Sequence, residues 1–344
     1  MERVPLEVRK RIGRRGIAAA AGMLIVLAVV AATPQLLGTQ VGEAVESLGH
    51  ADPRWLWLAG VGFVLSVMAA AGSWRSAIGL CGGRIGLVDS AARFGAGSLV
   101  NTFVPARAGD AVRLGLFSRA LDRNQRLWRA GSAFAALGAA RAAVMAGLVV
   151  TGAVLGELPL WPVVVLLGLA VAAAVVAVTV RGREATRGAA HLLDAFRTLG
   201  REPLAAVRLV GWITVSVAAR VVAATAVGAS LGIGRPLAAA LVIVPVLDVA
   251  GAFPITPGNL GITSGAVAVA FEAHGISFTH GLAAGIAFTA VETAVGIGYG
   301  LGSLVWLAPY PSPGIRRVAL LAAGASASLG IAGALSATVL LPLV

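Results

Sequence analysis

Charged residues make up only 12% of this 344-residue sequence, against roughly 25% in soluble globular domains. Hydrophobic residues reach 58%, and the mean hydropathy is +0.90. A water-exposed fold of this composition would have too few polar side chains to cover its apolar mass. The shortage of charge therefore excludes a soluble protein and indicates a protein that crosses a membrane several times.

Cysteine and histidine are also scarce, which excludes several kinds of site. Cys81 is the only cysteine, so an internal disulfide framework and a thiolate metal cage are not possible. The four histidines lack the spacing of a metal site, and neither a Walker nor a Rossmann glycine motif occurs. We therefore expect no metal, no cofactor and no ATPase activity of the chain's own.

The net charge of +12 is carried almost entirely by arginine, since Lys10 is the only lysine. In a soluble protein such an excess would indicate a nucleic-acid partner. Here the arginines cluster between apolar runs, which is typical of cytoplasmic loops that face anionic lipid headgroups. Together with the abundance of Ala, Val and Gly, this predicts a multi-pass protein of a bacterial cytoplasmic (inner) membrane and no nucleic-acid partner.

Apolar runs of roughly 20 residues, enough for a hydrocarbon core of about 30 Å, predict an all-α protein with about seven full transmembrane helices. Residues 1–16 form a basic tail that is cytoplasmic by the positive-inside rule, and residues 17–344 form one transmembrane domain. A cleaved signal peptide is the alternative for the first run. The predicted spans are 17–37, 55–72, 131–156, 159–180, 209–231, 281–307 and 319–341.

Two further apolar segments, 94–119 and 237–271, are interrupted by proline and glycine in the same pattern, P-x-x-x-G-[DN]. A break that recurs in both halves of a chain predicts discontinuous helices at a binding site. Keeping the arginine-rich loops inside requires two re-entrant hairpins that open to opposite sides, as in an inverted repeat. The alternative to re-entrant hairpins is that both proline–glycine segments are ordinary loops at the membrane surface. The candidate hinge residues are Pro105, Gly109, Pro254, Pro257, Gly258 and Gly261.

Four charged residues lie inside predicted membrane segments: Arg141, Arg220, Asp248 and Glu292. Each would cost roughly 2.5–3.5 kcal/mol at a lipid-facing helix centre. Four such residues therefore predict a shared polar interior. The alternative is simple ion pairing between helices, of Arg141 with Glu292 or of Arg220 with Asp248.

The first broken segment adds Arg107, Asp110 and Arg113, whose i, i+3, i+6 spacing places Asp110 between two cations on one helix face. With the four membrane-embedded charges this gives an interior able to accept an anionic group such as a phosphodiester, for which guanidinium is a bidentate partner. The alternative is that the two arginines only extend to the headgroups.

The second broken segment offers neutral hydrogen-bonding groups, and a half-helix beginning near Asn259 would direct unpaired N–H groups into the cavity. Helix packing is another explanation for Gly261 and Gly265, which have GxxxG spacing. The predicted substrate-binding residues are Arg107, Asp110, Arg113, Arg141, Arg220, Asp248, Thr256, Asn259, Thr263, Ser264 and Glu292.

Residues 101–113, NTFVPARAGDAVR, and 253–262, FPITPGNLGI, resemble the two signatures of the lysylphosphatidylglycerol synthase transmembrane region, the flippase-like domain family. The resemblance covers essentially the whole chain. It implies the lipid-translocating function of the family without the soluble synthase domain that some members carry. Ser264 stands where the family usually has a glutamate shortly after the second glycine pair. If that acid takes part in the mechanism, Asp248, Glu272 or Glu292 replaces it, or the substrate differs.

These observations predict an integral membrane translocator for an anionic phospholipid or lipid-linked headgroup, either passive or ion-coupled. Its partners would be membrane lipids and a separate lipid-modifying enzyme. The alternative is a membrane-embedded transferase that acts on a lipid-linked sugar or aminoacyl donor. Because the sequence has no nucleophile–base constellation, we predict no catalytic residues. A structural membrane protein without transport is a third possibility.

Overall fold

The computed structural model describes residues 49–104, 108–121, 126–156, 202–250 and 262–308. Within these ranges every regular element is a helix, which agrees with the predicted all-α class. In chain order the helices are α1 (Pro53–Leu80), α2 (Leu87–Phe103), α3 (Ala108–Ser118), α4 (Arg126–Val154), α5 (Pro203–Ser230), α6 (Pro236–Ala250), α7 (Ile262–Glu272) and α8 (Phe278–Leu307).

Four of the described helices, α1, α4, α5 and α8, are long and apolar enough to cross a bilayer, with 28 to 30 residues each. They correspond to four of the seven predicted spans: 55–72, 131–156, 209–231 and 281–307. The other three predicted spans, 17–37, 159–180 and 319–341, and the basic tail 1–16 lie outside the described residues. The predicted polytopic character therefore rests on these four helices.

The long helices begin at residues suited to a helix start. The Asp52 carboxylate accepts a hydrogen bond from the Arg54 backbone N–H at 2.9 Å, and Pro53 occupies the first turn of α1. Ser277 caps α8 by accepting from the His280 N–H. Between α7 and α8 the chain turns at Gly275, whose φ of 75° lies in the left-handed region that favours glycine.

Helices α1 and α5 form the most extensive pair among the described helices. Small residues allow this close approach: a Cβ at Gly62 would lie 2.9 Å from the Ala219 carbonyl oxygen, and Gly72 packs against the Trp212 ring. The Ser66 and Ser216 hydroxyls are hydrogen-bonded at 3.0 Å across this interface. This pair provides one wall of the cavity described below.

The two broken segments each form a pair of short helices. In the first, α2 begins at Leu87, earlier than the predicted start at residue 94. It runs antiparallel to α3: Arg93 near its start donates to the Leu116 carbonyl near the end of α3, and Asn101 near its end contacts Gly109 near the start of α3. In the second, α6 and α7 match the predicted segment 237–271 closely. The breaks themselves, residues 105–107 and 251–261, lie outside the described residues.

Two apolar clusters surround the centre of the described fold. One joins α1, the second half of α5 and α6–α8, and includes an edge-to-face contact between Phe63 and Phe288 with ring centroids 4.7 Å apart. The other joins the end of α1 with α3, α4 and the first half of α5, where Trp74 stacks on Phe117. Leu247 of the first cluster and Trp74 of the second both line the cavity, which therefore lies where the clusters meet.

Candidate functional site

A cavity of about 500 Å³ lies among the helices, and all eight described helices contribute to its lining. Seven of the predicted binding residues line it: Asp110, Arg113, Arg141, Arg220, Asp248, Thr263 and Glu292. Ser264 does not, because it is buried against Gly285 of α8. Arg107, Thr256 and Asn259 lie outside the described residues, as do the hinge residues Pro105, Pro254, Pro257, Gly258 and Gly261.

Residues that flank both breaks line this one cavity. Asn101 and Thr102 at the end of α2, and Asp110 in the first turn of α3, lie on either side of the first break. Asp248 near the end of α6 and Thr263 at the start of α7 lie on either side of the second. Residues of both broken segments therefore line the same cavity.

Arg113 is held inside the α2–α3 hairpin by four groups. Its guanidinium donates to Asp110 at 2.7 Å, to the Ser98 hydroxyl at 2.6 Å and to the Phe94 carbonyl at 3.3 Å. It also lies over the Phe94 ring, 4.0 Å from the centroid. The predicted i, i+3 pair is thus present. Because its donors are engaged within the hairpin, Arg113 stabilises the hairpin and leaves little capacity for a ligand.

Asn101 completes this arrangement, and the sequence reasoning did not single it out. Its side-chain oxygen accepts a hydrogen bond from the Gly109 backbone N–H at 2.6 Å, and its amide donates to Asp110 at 3.3 Å. The first bond satisfies a backbone donor that the first turn of α3 leaves unpaired. The available signal was an amide residue placed one helical turn before Pro105 inside an apolar run.

The other four charges form a chain across four helices. Arg141 of α4 donates two hydrogen bonds to Asp248 of α6, at 2.9 and 2.8 Å. Arg220 of α5 lies 3.8 Å from the same carboxylate and 3.0 Å from Glu292 of α8. We call these four residues the ion-pair chain.

The two ion pairs that the sequence analysis gave as an alternative are only partly present. Arg141 pairs with Asp248 and not with Glu292, whereas the Arg220–Asp248 contact is present as the longer of the two bonds to that aspartate. The physical reason is that α6 places Asp248 within reach of both α4 and α5, so one carboxylate serves two cations. Spacing along the chain carries no information about this arrangement.

The ion-pair chain is more exposed at its two ends than in its middle. The Arg141 and Glu292 side chains are 35% and 42% exposed, while Arg220 is 17% and Asp248 21% exposed. Among the described groups the Arg220 Nε–H is buried and has no hydrogen-bond partner. The described lining thus contains three arginines and three carboxylates, which balance in charge, and one unused donor at its centre.

The sequence matches the family described as the lysylphosphatidylglycerol synthase TM region over residues 17–300. No curated protein matches the chain significantly. The matched range includes all but the last few described residues and both broken segments. This multi-pass chain, whose described regular elements are all helices, therefore belongs to the lysylphosphatidylglycerol synthase transmembrane-region family.

Proposed function

We propose that this protein translocates an anionic phospholipid or lipid-linked headgroup across the bacterial cytoplasmic membrane, without an ATPase of its own. The observation that carries the proposal is the cavity of about 500 Å³ with six charged side chains, placed among helices that are otherwise apolar. At a lipid-facing position each of these charges would cost roughly 2.5–3.5 kcal/mol. Their concentration around one space indicates a polar path through the membrane.

The size and chemistry of the cavity suit a headgroup. Small-molecule sites usually have volumes of about 300–1,000 Å³, and this cavity lies in that range. A phosphodiester group would enter it while the acyl chains remain in the bilayer. Arg220 provides a guanidinium group with an unused Nε–H, and guanidinium groups bind phosphate oxygens in a bidentate manner.

The distribution of charge at the helix ends supports a topology with the N-terminus inside. The end of α1, the start of α2, the end of α3 and the start of α4 carry Arg75, Arg84, Arg93, Arg119, Arg126 and Arg129. Trp306 at the end of α8 bonds to Asp89 at this same end. By the positive-inside rule this end faces the cytoplasm. The broken segments then act as re-entrant hairpins that open to opposite sides, and a separate lipid-modifying enzyme supplies the substrate.

The proposal is tested by translocation of a fluorescent phosphatidylglycerol in proteoliposomes, with Arg220→Gln compared with Arg208→Gln. Arg208 lies on the same helix but is exposed and outside the cavity. A charge-assisted hydrogen bond contributes about 1.5–3 kcal/mol, so Arg220→Gln should weaken headgroup binding about tenfold to a hundredfold. Arg208→Gln should transport as the wild type does, and Arg220→Lys should recover only part of the activity.

Folded yield, followed by size-exclusion chromatography, separates a transport defect from a folding defect. If Arg220→Gln protein elutes as the wild type does and transports lipid at the wild-type rate, the cavity does not lie on the translocation path. Wild-type protein that moves no lipid but converts a lipid-linked donor to product would replace translocation with the transferase function.

A further inference from the structure

We propose that Glu292 is a proton-binding site, and that it takes up one proton for each monoanionic phosphodiester headgroup that enters the cavity. The inference rests on the proposed translocator function and specifies its coupling ion. From the sequence, Glu292 is expected to contact the substrate, whereas here Glu292 binds the proton that compensates the charge of the substrate. Headgroup and proton would then cross the membrane together.

The first argument is the geometry of Arg220. A guanidinium offers its bidentate edge through the Nε and Nη2 donors, and Arg141 uses both of these donors on Asp248. On Arg220 only Nη2 is occupied, by Glu292, while Nε is buried without a partner. A phosphodiester has two oxygens suited to this edge. It would satisfy the unused Nε–H and displace Glu292 from Nη2.

The second argument is the charge balance. Arg141, Asp248, Arg220 and Glu292 are neutral together, so a bound phosphodiester would leave one uncompensated negative charge among the described residues of the cavity. An unpaired charge at such a depth is costly. A carboxyl group is a much weaker acid than a phosphodiester, so the added proton goes to a carboxylate. One O–H bond forms at Glu292, and the buffered aqueous phase supplies the proton, so that a buffer acid becomes its conjugate base.

The third argument decides which carboxylate accepts the proton. Asp248 accepts two hydrogen bonds from Arg141 and lies 3.8 Å from Arg220, so its charge keeps a bidentate partner when an anion binds Arg220. Asp110 is bonded to Arg113 within the hairpin. Glu292 has Arg220 as its only salt-bridge partner among the described residues, and it is the most exposed of the three acids. When an anion binds Arg220, Glu292 therefore loses its salt-bridge partner among the described residues.

Other helices packed against α8 add no competing charge to the described part of the cavity. The lining residues of α1, α2 and α7 are all uncharged, and the nearest charged lining groups are those of α3, α4, α5 and α6 already named. Tyr299, farther along α8, directs its hydroxyl to the Met68 sulfur. Among the described residues, Arg220 is thus the cation that faces Glu292 directly.

The test is isothermal titration of the full-length protein in detergent with dihexanoyl phosphatidylglycerol, in two buffers of different ionisation enthalpy. The wild type should take up one proton per bound headgroup, and its affinity should then fall about tenfold per pH unit. Glu292→Gln should bind the probe without proton uptake and with an affinity that does not depend on pH. Glu272→Gln, an exposed acid outside the cavity, should match the wild type.

Failure of the Glu292 assignment and failure of the translocator function give different results in this titration. Wild-type protein that binds the probe without proton uptake would overturn the role of Glu292 and leave the translocator function standing. Wild-type protein that binds no probe would overturn both. Glu292→Gln protein that still takes up one proton would also overturn the assignment. The wild-type titration needs no variant, so a folding defect in Glu292→Gln does not prevent a decision.

Discussion

Asp248 is the residue through which two of the membrane-embedded arginines are neutralised. Its carboxylate accepts two hydrogen bonds from Arg141 and lies 3.8 Å from Arg220. Removing one partner of such a network leaves the other charges uncompensated, and this costs more than the network itself contributes. The stability of the centre of the molecule therefore depends on this one acid.

We expect Asp248→Asn to lower the free energy of unfolding by about 1–3 kcal/mol, below the value for a fully buried pair because Arg141 is partly exposed. The measurement is thermal unfolding in detergent. Arg141→Gln should then cost less in the Asp248→Asn background than in the wild type, because the bond is already lost. Equal costs in the two backgrounds would show that Arg141 and Asp248 are not energetically coupled.

At the residue scale the sequence predicted which charges meet but not how they pair. The high cost of Arg141, Arg220, Asp248 and Glu292 in a membrane was sufficient reason to place them around one space. Their pairing depends on the positions of four separate helices, which no local spacing encodes. Ser264 shows the same limit, since its hydroxyl suggested a ligand contact but the residue packs against Gly285.

At the scale of the helices, the α2–α3 hairpin depends on close backbone contact. A Cβ at Gly109 would clash with the Gly97 carbonyl oxygen and the Asn101 side chain. Gly115, on the same helix, faces open space among the described residues. Glycine at position 109 thus brings α3 close enough for Asn101 to bond its first turn and for Arg113 to reach Ser98.

Gly109→Ala should reduce folded yield and lower the thermal midpoint, because the added methyl group forces α3 away from α2. Gly115→Ala is the matched control, and it should leave the midpoint unchanged or raise it, since alanine favours a helix interior by about 1 kcal/mol. Size-exclusion yield and thermal unfolding in detergent measure both effects. A Gly109→Ala variant as stable as Gly115→Ala would mean that the two helices do not need this contact.

The existence of the helices was easier to predict than their contacts. Long apolar runs were sufficient for α1, α4, α5 and α8, and the repeated proline–glycine pattern located both broken segments. The GxxxG interpretation involves Gly261, which lies outside the described residues. A Cβ added at Gly265 would meet no described atom within 4 Å, while Ser264 packs on Gly285. Which face of a short apolar helix is buried depends on its neighbours, and α7 is too uniformly apolar to show it.

At the scale of the whole molecule, the helix ends separate into a basic end and an opposite end. Arg75 donates to the Ile85 carbonyl at the basic end, where α1 finishes and α2 begins. At the opposite end the Asp52 backbone N–H bonds to the Ser230 carbonyl, so α1 starts where α5 finishes. A chain that alternates between these two ends has one orientation that satisfies the positive-inside rule.

This orientation is testable with single cysteines at Gly49, Arg197 and Ser312 in a Cys81→Ser background. Cys81 must be removed because it lies at the basic end, although burial raises the pKa of its thiol and slows its reaction. Gly49 precedes α1 at the opposite end, so its cysteine should react with an impermeant maleimide applied from outside. The cysteines at 197, before the start of α5, and at 312, after the end of α8, should react only in inside-out vesicles. Labelling of the Ser312 position from outside would require a second broken segment that crosses the membrane once, and the opposed-hairpin arrangement would be lost.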